Sequence, residues 1–474
     1  MNIYFLTEEK PKISTLISIL NIYKHDFGVD YAITGDIKIL PIFNDSRFSF
    51  TYKLTNVSVK NIDNIFIKTV SGGSSFLDYL FLVQENEPIE GKDNNLVFAV
   101  EETKTSDDES RNTGVYQRCS KFIYIKAFYD VPLYMLYNDE LGLRENKKPS
   151  DTSILGTNML LTNGVKIVGK PIDRWFAPFT SIDELISFKN NMRRPPAGNT
   201  PILINKYPNK ITISGRLDKP NNIGKIAHDP NIGALSYISY TLRQLGWDQE
   251  IEIIDHHVDQ ASVRNNSKNK FLSICNMLNA SMEGIIMPEN YELPDSYWHY
   301  EVQSEKVASI LFHVCCEDIG LKEVYQNHAG CERGYFKTFD NVLETLPKKC
   351  GEDKNGNLIA IRDKNAFANN KRDLLIPDVI MRDDNSRTIY LMEGKKISTL
   401  ANGLREIEEY DDIEKLYINR FFPGYAVKRY LTIFGGNLNS LPDTKVLLYL
   451  NSNGKIILNE IAEPELTKRL KDIF

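Results

Sequence analysis

The chain has 474 residues, of which 42% are hydrophobic, 11% aromatic and 25% charged. This length is too great for a single hydrophobic core and predicts two to four domains, and the composition excludes a chain dominated by disorder. The formal net charge of -6 argues against a protein whose whole surface is coated with nucleic acid.

The sequence shows no sign of secretion or membrane insertion. Its first residues, MNIYFLTEEKPKIS, have neither the basic region nor the apolar region of a signal peptide, and no run of about 18 apolar residues occurs. Six cysteines are too few for a disulfide framework in so long a chain. We therefore expect a cytoplasmic protein with reduced cysteines.

The first third predicts a helix, several strands, a second helix and a last strand. Residues 10–24 have helical periodicity. Strand-like runs follow in YAITGDIKILPIF, RFSFTYKLTNVSV, NIFIKTV, SSFLDYLFLV and NNLVFAVEETKT. TGVYQRCSKFIYIKAFY then predicts an amphipathic helix, and VPLYMLYN a short apolar strand.

The centre and the last third of the chain differ in pattern. Residues 201–300 alternate strand and helix (KITIS, HDPNIGALSYISYTLRQLGW, EIEIIDHHV, NKFLSICNMLNAS), which is typical of a small α/β module with parallel pairing. The last third repeats the first in outline, with helices predicted at 302–318 and 335–347. Strands are then predicted in NLIAIR, DLLIPDVIMR, TIYLMEGKKI, VKRYLTIFG and KVLLYLN, with an amphipathic stretch at LANGLREIEEYDDIEKLYINRFF.

These patterns predict an α/β protein of mixed sheets (α+β). Three domains are expected, at residues 1–150, 151–300 and 301–474. The outer two have similar element order and flank a central module of a different kind.

Charged residues stand at the ends of two apolar runs in IPDVIMRDDNSRTIYLMEGKKIS, residues 376–398. Side chains alternate between the faces of a strand and neighbouring strands lie about 4.8 Å apart, so Asp378 can meet Glu393 and Lys395 at one sheet edge. Two adjacent carboxylates repel unless a cation joins them, and Mg²⁺ prefers oxygen ligands completed by water. The lysine can orient or help deprotonate a metal-bound water, or stabilise charge on a phosphorane-like transition state.

This arrangement resembles the PD-(D/E)XK nuclease superfamily, whose signature is present as Pro377-Asp378, a spacer, and Glu393-Gly394-Lys395. The resemblance implies that the acids bind Mg²⁺ and that the lysine assists attack of water on a DNA phosphodiester. It also implies a core with the element order α-β-β-β-α-β, which the periodicity of this segment indicates independently.

A second copy of the pattern lies in the first third of the chain. Asp78 is placed at a strand, and Glu102 and Lys104 lie at the end of the next strand, with Glu101 just before them as a further acid. Leu77 stands where the superfamily signature has proline. By the same resemblance, the predicted catalytic residues here are Asp78, Glu102 and Lys104, with the two acids as metal ligands.

Other residues are candidates for supporting roles. Arg111, Gln117 and Lys121 fall near the start of the predicted helix, where they can meet a phosphate or steady the catalytic lysine, although an exposed helical face is an equal alternative. Glu344 is a candidate for an additional metal ligand from the helix predicted before the second core.

Both acid and lysine patterns have a plain structural alternative. A Glu-x-Lys pair at the end of a strand can be a surface ion pair that contributes under about 1 kcal/mol to stability and has no catalytic role. The pattern occurs twice in similar element order, which favours two nuclease-like cores over chance.

A basic stretch lies between residues 189 and 225, where eight basic residues accompany one acid, Asp218. Its RRPP and KPNN sequences predict loops, where phosphate contacts are commonly made, and the alternative is a solvated face. The predicted DNA-binding residues are Arg193, Arg194, Lys206, Lys210, Arg216, Lys219 and Lys225.

A cluster of histidine and cysteine occurs in FHVCCEDIGLKEVYQNHAGC, which contains His313, Cys315, Cys316, His328 and Cys331. These residue types can bind zinc, but their spacing matches no standard zinc finger. FHVCC has the pattern of an apolar helix face, so ordinary structural cysteines are expected.

Together these features predict a type II restriction endonuclease or a close relative, which hydrolyses duplex DNA at specific sequences with Mg²⁺. Two sites in one chain would let a monomer cut both strands, and dimerisation is the usual alternative. The expected partners are double-stranded DNA and a cognate DNA methyltransferase as a separate protein. No phosphate loop, dinucleotide fingerprint or NPPY-like motif occurs, which argues against motor or methylating activity.

Two other functions stay open from the sequence. One is a repair, structure-specific or modification-dependent nuclease with a single working site. The other is a DNA-binding protein without catalysis, whose acids are structural.

Overall fold

The computed structural model describes the chain except for residues 73–75, 92–93, 104–119, 138–148, 173, 193–200, 220–221, 227–229, 266–269, 288–292, 301–304, 329–333 and 363–365. The chain divides into two compact units. Unit 1 comprises Met1–Ser71 and Tyr300–Phe474, and unit 2 comprises Gly72–His299. The first 71 residues thus group with the C-terminal third. The division into three domains stays a prediction.

The described residues contain the following strands and helices, numbered in chain order. The strands are β1 (Asn2–Thr7), β2 (Tyr31–Asn44), β3 (Arg47–Val59), β4 (Asn64–Ser71), β5 (Tyr79–Gln84), β6 (Leu96–Thr103), β7 (Leu133–Tyr137), β8 (Lys166–Val168), β9 (Leu203–Tyr207), β10 (Lys210–Ser214), β11 (Asp218–Lys219), β12 (Asn222–Ile226), β13 (Glu250–Ile254), β14 (Ala280–Met282), β15 (His299–Tyr300), β16 (Lys322–Gln326), β17 (Tyr335–Lys337), β18 (Leu343–Thr345), β19 (Lys349–Glu352), β20 (Leu358–Ile361), β21 (Asn369–Asp373), β22 (Val379–Asp383), β23 (Thr388–Lys396), β24 (Ala426–Phe434), β25 (Val446–Leu450) and β26 (Ile456–Leu458). The helices are α1 (Ile13–Phe27), α2 (Asp151–Thr162), α3 (Ile182–Asn191), α4 (Pro230–Gln244), α5 (Gln260–Asn265), α6 (Lys270–Met277), α7 (Lys306–Asp318), α8 (Leu400–Glu408), α9 (Asp411–Ile413), α10 (Asn419–Phe421) and α11 (Pro464–Lys471).

Unit 1 contains a mixed sheet with the strand order β16-β22-β23-β24-β25-β26. β23 runs parallel to β24, and β24 to β25, while the other neighbours are antiparallel. Helices α7 and α8 lie against β23 and β24. The element order α7-β16-β22-β23-α8-β24 has the form α-β-β-β-α-β, but its first strand is β16 and not the predicted strand NLIAIR, which forms β20 in a separate sheet with β19 and β21.

Burial explains why these segments form a sheet covered by helices. Every residue of β22 and β25 is buried, as expected for strands with layers on both faces. The apolar core joins strand residues such as Leu391 and Leu431 to Ile407 of α8 and Ile413 of α9. The rest of unit 1 includes α1 and the strand order β2-β3-β4-β1, with β1 and β4 parallel.

Unit 2 contains two further mixed sheets. In the first, β5 is antiparallel to β6, and β6, β7 and β8 follow in parallel. In the second, with the order β14-β13-β10-β9, β10 pairs in parallel with β13. The parallel pairing predicted for KITIS and EIEII is therefore confirmed, and mixed α/β architecture is present in both units.

The helix predicted at residues 335–347 is wrong. This segment forms the antiparallel pair β17 and β18, in which the side chain of Phe336 is fully buried. Asn341 has φ of 61°, a left-handed conformation that a continuing right-handed helix cannot contain. The segment therefore turns back on itself as a hairpin.

Within the described ranges, no helix is both long and apolar enough to cross a membrane.

Candidate active sites

The acids of the C-terminal pattern meet across an antiparallel strand pair in unit 1. Val379 is paired with Met392, which places Asp378 opposite Glu393. The Asp378 amide donates to Glu393 Oε2 at 3.3 Å, and the Gly394 amide donates to Asp378 Oδ2 at 2.9 Å. Two carboxylates are thus held side by side where β22 begins.

Lys395 joins this cluster from the same face of β23. Its Nζ lies 2.7 Å from Glu393 Oε1 and 2.8 Å from Glu406 Oε2 of α8. Burial alone would lower the pKa of Lys395, but the two carboxylates outweigh burial and raise that pKa above its usual value. The amine is therefore a charged ammonium at neutral pH.

Burial and crowding make both acids reluctant to ionise. Burial raises the pKa of Asp378 well above its usual value, and the Glu393 and Glu305 carboxylates add to the effect. Burial also raises the pKa of Glu393, which Lys395 and a hydrogen bond from the Tyr410 hydroxyl offset only in part. A divalent cation between the two carboxylates would relieve this repulsion, so the donor set fits Mg²⁺.

Glycine is favoured at position 394 because other atoms approach its backbone closely. A Cβ there would lie 3.0 Å from Asp378 Oδ2, the Glu305 carbonyl oxygen and Ser309 Oγ. Glu305 and Ser309 belong to the start of α7, so this helix borders the acid cluster. Glycine in the Glu-Gly-Lys sequence thus has a packing reason.

The sequence interpretation missed three residues around this cluster, namely Glu305, Glu406 and Tyr410. A usable signal existed for two of them, since Glu406 and Tyr410 are four residues apart in the amphipathic stretch after Lys395 and such spacing places side chains on one helical face. For Glu305 the sequence contains no comparable signal.

Unit 2 contains a second cluster with the same backbone frame. Tyr79 is paired with Val100, which places Asp78 opposite Glu101. The Asp78 amide donates to Glu101 Oε2 at 3.3 Å, and the Glu102 amide donates to Asp78 Oδ2 at 2.7 Å. Asp78 and Glu101 therefore occupy the positions of Asp378 and Glu393.

The amine of this second cluster comes from a helix. Lys121, in the helical residues 120–124, has its Nζ 2.9 Å from Glu101 Oε1 and 3.6 Å from Asp78 Oδ1. The strand position equivalent to Lys395, two residues after the acid, is occupied by Thr103. The same acid, acid and ammonium set is therefore completed from a different element.

This geometry corrects the predicted membership of the second cluster. Glu102 follows Glu101 on the strand, so its side chain points to the opposite face, where Tyr79 Oη donates to its Oε2 at 3.3 Å. The structure brings Asp78 together with Glu101 and Lys121 and does not bring Glu102 to them. Lys104, Arg111 and Gln117 lie outside the described residues.

Glu344, the candidate additional ligand, lies in β18 and not in a helix. Its Oε2 accepts from Arg362 Nη2 at 2.8 Å. Arg362 thus already neutralises this carboxylate.

Several predicted DNA-binding residues of unit 2 are engaged in ion pairs. Lys206 Nζ lies 2.8 Å from Asp183 Oδ1, and Lys210 Nζ lies 2.5 Å from Glu252 Oε2. Arg216 makes two hydrogen bonds to the buried Asp218 carboxylate.

Of the other four predicted DNA-binding residues, two lie within the described residues and two lie outside them. Lys225 is exposed on β12, and Lys219 lies in β11. Arg193 and Arg194 lie outside the described residues.

Comparison with protein-family models, curated proteins and solved structures finds no match to this chain.

Proposed function

We propose that the chain is a Mg²⁺-dependent endonuclease that hydrolyses phosphodiester bonds of duplex DNA at two active sites. The observation that carries the proposal is the repeated frame. In each unit a carboxylate directly before one strand faces a carboxylate on the antiparallel neighbour, the same two backbone amides orient them, and an ammonium contacts the second acid. A surface ion pair has no need of this frame, whereas metal-assisted hydrolysis does.

Each side chain has a definite part in this proposal. Asp378 and Glu393, and in unit 2 Asp78 and Glu101, would hold the ion. Bound Mg²⁺ supplies Lewis-acid polarisation of the phosphate and a lower pKa for a coordinated water. The amides of Gly394 and Glu102 keep the first acid of each pair oriented towards the second.

The lysines would stabilise the negative charge that develops on the phosphate during hydrolysis. Because the pKa of Lys395 is raised, its ammonium stays protonated at neutral pH, and it is suited to stabilise negative charge that grows on the phosphate. Lys121 has the same contact with Glu101 in the second cluster. Removal of a proton from water is a task for which a permanently charged ammonium is poorly suited.

Two sites in one chain are suited to cutting two strands. Sequence-specific cleavage of the type II restriction class, with a separate cognate methyltransferase that protects host DNA, is the form of the proposal that the resemblance favours. The proposed phosphate contacts in unit 2 are the exposed Lys225 and two arginines outside the described residues, Arg193 and Arg194.

The deciding experiment is digestion of supercoiled plasmid by purified full-length protein with Mg²⁺ and then with EDTA. We expect breaks that depend on the metal. Lys395→Met should slow cleavage at its site about 100-fold or more, the order of loss seen when one charge-stabilising donor is removed. Lys396→Met, which alters the exposed neighbouring lysine, is the matched control and should cleave normally.

Failure would take one of two forms. If no metal-dependent breaks appear on DNA from several sources while the protein still binds duplex DNA, the chain is a binding protein with structural acids. If Lys395→Met and Lys396→Met cleave equally well, the ammonium beside Glu393 has no catalytic role and the assignment of this site is wrong.

A further inference from the structure

A second group of titratable side chains lies in unit 1, between α7 and β16. His313 and Glu317 are one turn apart on α7, and Glu323 projects from β16. His313 Nε2 lies 3.4 Å from Glu317 Oε1 and 3.2 Å from Glu323 Oε2, and the three donor atoms all lie within 4.8 Å of one another. His313 is fully buried, and its Nε2 has no hydrogen-bond partner among the described residues.

A chain of hydrogen bonds fixes where the protons of the two buried histidines lie. The Ser309 hydroxyl donates to the Lys306 carbonyl oxygen at 3.0 Å, so Ser309 Oγ must accept the proton of His328 Nδ1, 3.2 Å away. A neutral ring with its proton on Nδ1 carries a lone pair on Nε2, and His328 Nε2 lies 3.1 Å from His313 Nδ1. Two facing ring nitrogens cannot both accept, so this arrangement places the proton of His313 on Nδ1.

This proton position determines what the other ring nitrogen of His313, Nε2, can bind. In the neutral ring, Nε2 carries a lone pair and points at two carboxylate oxygens, which is repulsive unless a cation lies between them. The cation must be either a proton on Nε2 or a metal ion.

The distances favour a metal ion. A charged N–H to carboxylate hydrogen bond spans about 2.7–2.9 Å, whereas the contacts of Nε2 at 3.2 and 3.4 Å are longer and lack hydrogen-bond geometry. Donors bound to a tetrahedral ion at about 2.0–2.2 Å are separated by roughly 3.4 Å. The observed 3.4 and 3.2 Å match this spacing.

Lys10 is placed to support an ion and not to replace it. Its Nζ lies 2.8 Å from Glu317 Oε2, which is the oxygen turned away from His313, and 3.9 Å from Glu323 Oε2. It thus orients the Glu317 carboxylate and leaves Oε1 for the ion, as outer partners of metal ligands commonly do.

We infer that His313, Glu317 and Glu323 form a binding site for a divalent transition-metal ion of the Zn²⁺ class. One imidazole with two carboxylates is a donor set that Zn²⁺ accepts and that Mg²⁺, which prefers oxygen alone, does not favour. The ion would tie α7 to β16. Ser309 of the same helix borders Gly394, so the ion would also fix the position of the helix that flanks the C-terminal acid cluster.

The site includes one residue of the histidine and cysteine cluster found in the sequence, with different partners. Cys315 and Cys316 are fully buried on α7, and their sulfur atoms are not part of the group of donor atoms that lie within 4.8 Å of one another. Glu317 and Glu323 take their place. Cys331 lies outside the described residues.

The test is metal binding by the full-length protein after treatment with a chelator. Titration with Zn²⁺, followed by calorimetry, should give one tight site per chain, and Co²⁺ in its place should show the visible absorption of a tetrahedral complex. His313→Gln and Glu323→Gln should each weaken Zn²⁺ binding about 100-fold or more and alter the Co²⁺ spectrum. Glu323 is partly exposed, so its variant should fold even if the buried His313 variant does not.

Two kinds of control keep the outcome decisive. His299→Gln and Glu460→Gln alter exposed side chains of the same types and should bind Zn²⁺ as the unaltered protein does. Asp378→Asn with Glu393→Gln should also retain Zn²⁺, so this inference stands or falls separately from the proposed nuclease activity. Absence of stoichiometric binding, or binding unchanged by Glu323→Gln, would overturn it, and a proton on His313 Nε2 would then be the cation.

Discussion

The acid clusters of the two units share a backbone frame and differ in the origin of the lysine. In unit 1 Lys395 stands on the strand, two residues after Glu393. In unit 2 Thr103 fills that strand position, and Lys121 reaches Glu101 from a helix. The comparison teaches that position in space, and not position in a sequence motif, defines the set of three charges.

The clusters also differ in surroundings. Glu406 contacts Lys395, and Tyr410 donates to Glu393, so the C-terminal ammonium lies between two carboxylates. In the N-terminal cluster Lys121 is shared between Glu101 and Asp78. If both clusters act on DNA, they need not act at the same rate.

The largest expected effect comes from removing the first acid of each cluster. Asp78→Asn and Asp378→Asn should each leave an enzyme that cuts one strand, so nicked circles accumulate in place of linear DNA. The double variant should lose cleavage of both strands by about 100- to 1000-fold or more, because each site loses a metal ligand. Strand-specific end labelling of a linear duplex measures which strand each variant cuts.

The outcome separates two working sites from one. If either single variant cleaves both strands at the normal rate, the altered cluster has no catalytic role. The chain would then contain one active site and one acid cluster that is only structural.

A smaller effect should follow from moving the lysine. Lys121→Met should reduce cleavage by the unit 2 site about 10- to 100-fold, because the ammonium beside Glu101 is lost. Adding Thr103→Lys to that variant should restore part of the rate, since residue 103 corresponds to Lys395. Nicking rates on the strand assigned to unit 2 provide the measurement.

Glu102→Gln is the matched control for this comparison. Its side chain lies on the opposite face of β6 and accepts from Tyr79, which an amide oxygen can also do, so cleavage should change little, whereas Glu101→Gln should abolish it at this site. A reversed ranking of these two variants would refute the corrected assignment.

The sequence predicted the C-terminal cluster well because its determinants are local. Asp378, Glu393 and Lys395 sit on two consecutive strands, where side-chain alternation and hairpin pairing fix their relative positions. The α-β-β-β-α-β order was only partly predictable, since β16 was not recognised as its first strand and NLIAIR, which was taken for it, forms β20 in another sheet. The hairpin at residues 335–345 was missed because its strands are only three residues each and alternate too briefly to be told from a helix.

The N-terminal cluster was only half predictable. Matching the string Glu-x-Lys selected Glu102, whereas the strand register selects Glu101, and a shift of one residue moves a side chain to the other face. Lys121 is separated from Glu101 by twenty positions in the sequence, so its contact depends on how a helix packs on the sheet. The ion pairs of Lys206 and Lys210 depend on tertiary contacts in the same way.

The glycine of the C-terminal cluster offers a test of the frame through stability. Gly394 and Glu102 occupy equivalent positions, yet only the first is crowded. Gly394→Ala places a Cβ 3.0 Å from Asp378 Oδ2, the Glu305 carbonyl oxygen and Ser309 Oγ, and should lower the free energy of unfolding by about 1–3 kcal/mol. Glu102→Gln adds no atoms and keeps an oxygen that can accept from Tyr79 Oη, so it should change the free energy of unfolding by less than about 1 kcal/mol. Urea unfolding of the two variants distinguishes a shared frame with different packing from an accidental likeness.

The smallest expected effect concerns the repulsion between Asp378 and Glu393 without metal. The pKa of Asp378 is higher in the folded protein than in the unfolded chain, so the folded state holds its proton more tightly and stability falls as the pH rises from about 4 through the folded pKa. Asp378→Asn removes this titration, while its amide oxygen can still accept from the Gly394 amide. At pH values above that window, the metal-free variant should therefore be more stable than the unaltered protein by about 1 kcal/mol or more.

Asp78→Asn is the matched comparison in unit 2. It loses the ion pair between Asp78 and Lys121, so its stability should not increase. Thermal unfolding in EDTA between about pH 4 and 8 measures both variants, since acidic groups titrate across this range. Equal behaviour of the two would mean that the acid clusters are electrostatically alike and that the different origin of their lysines has no consequence for stability.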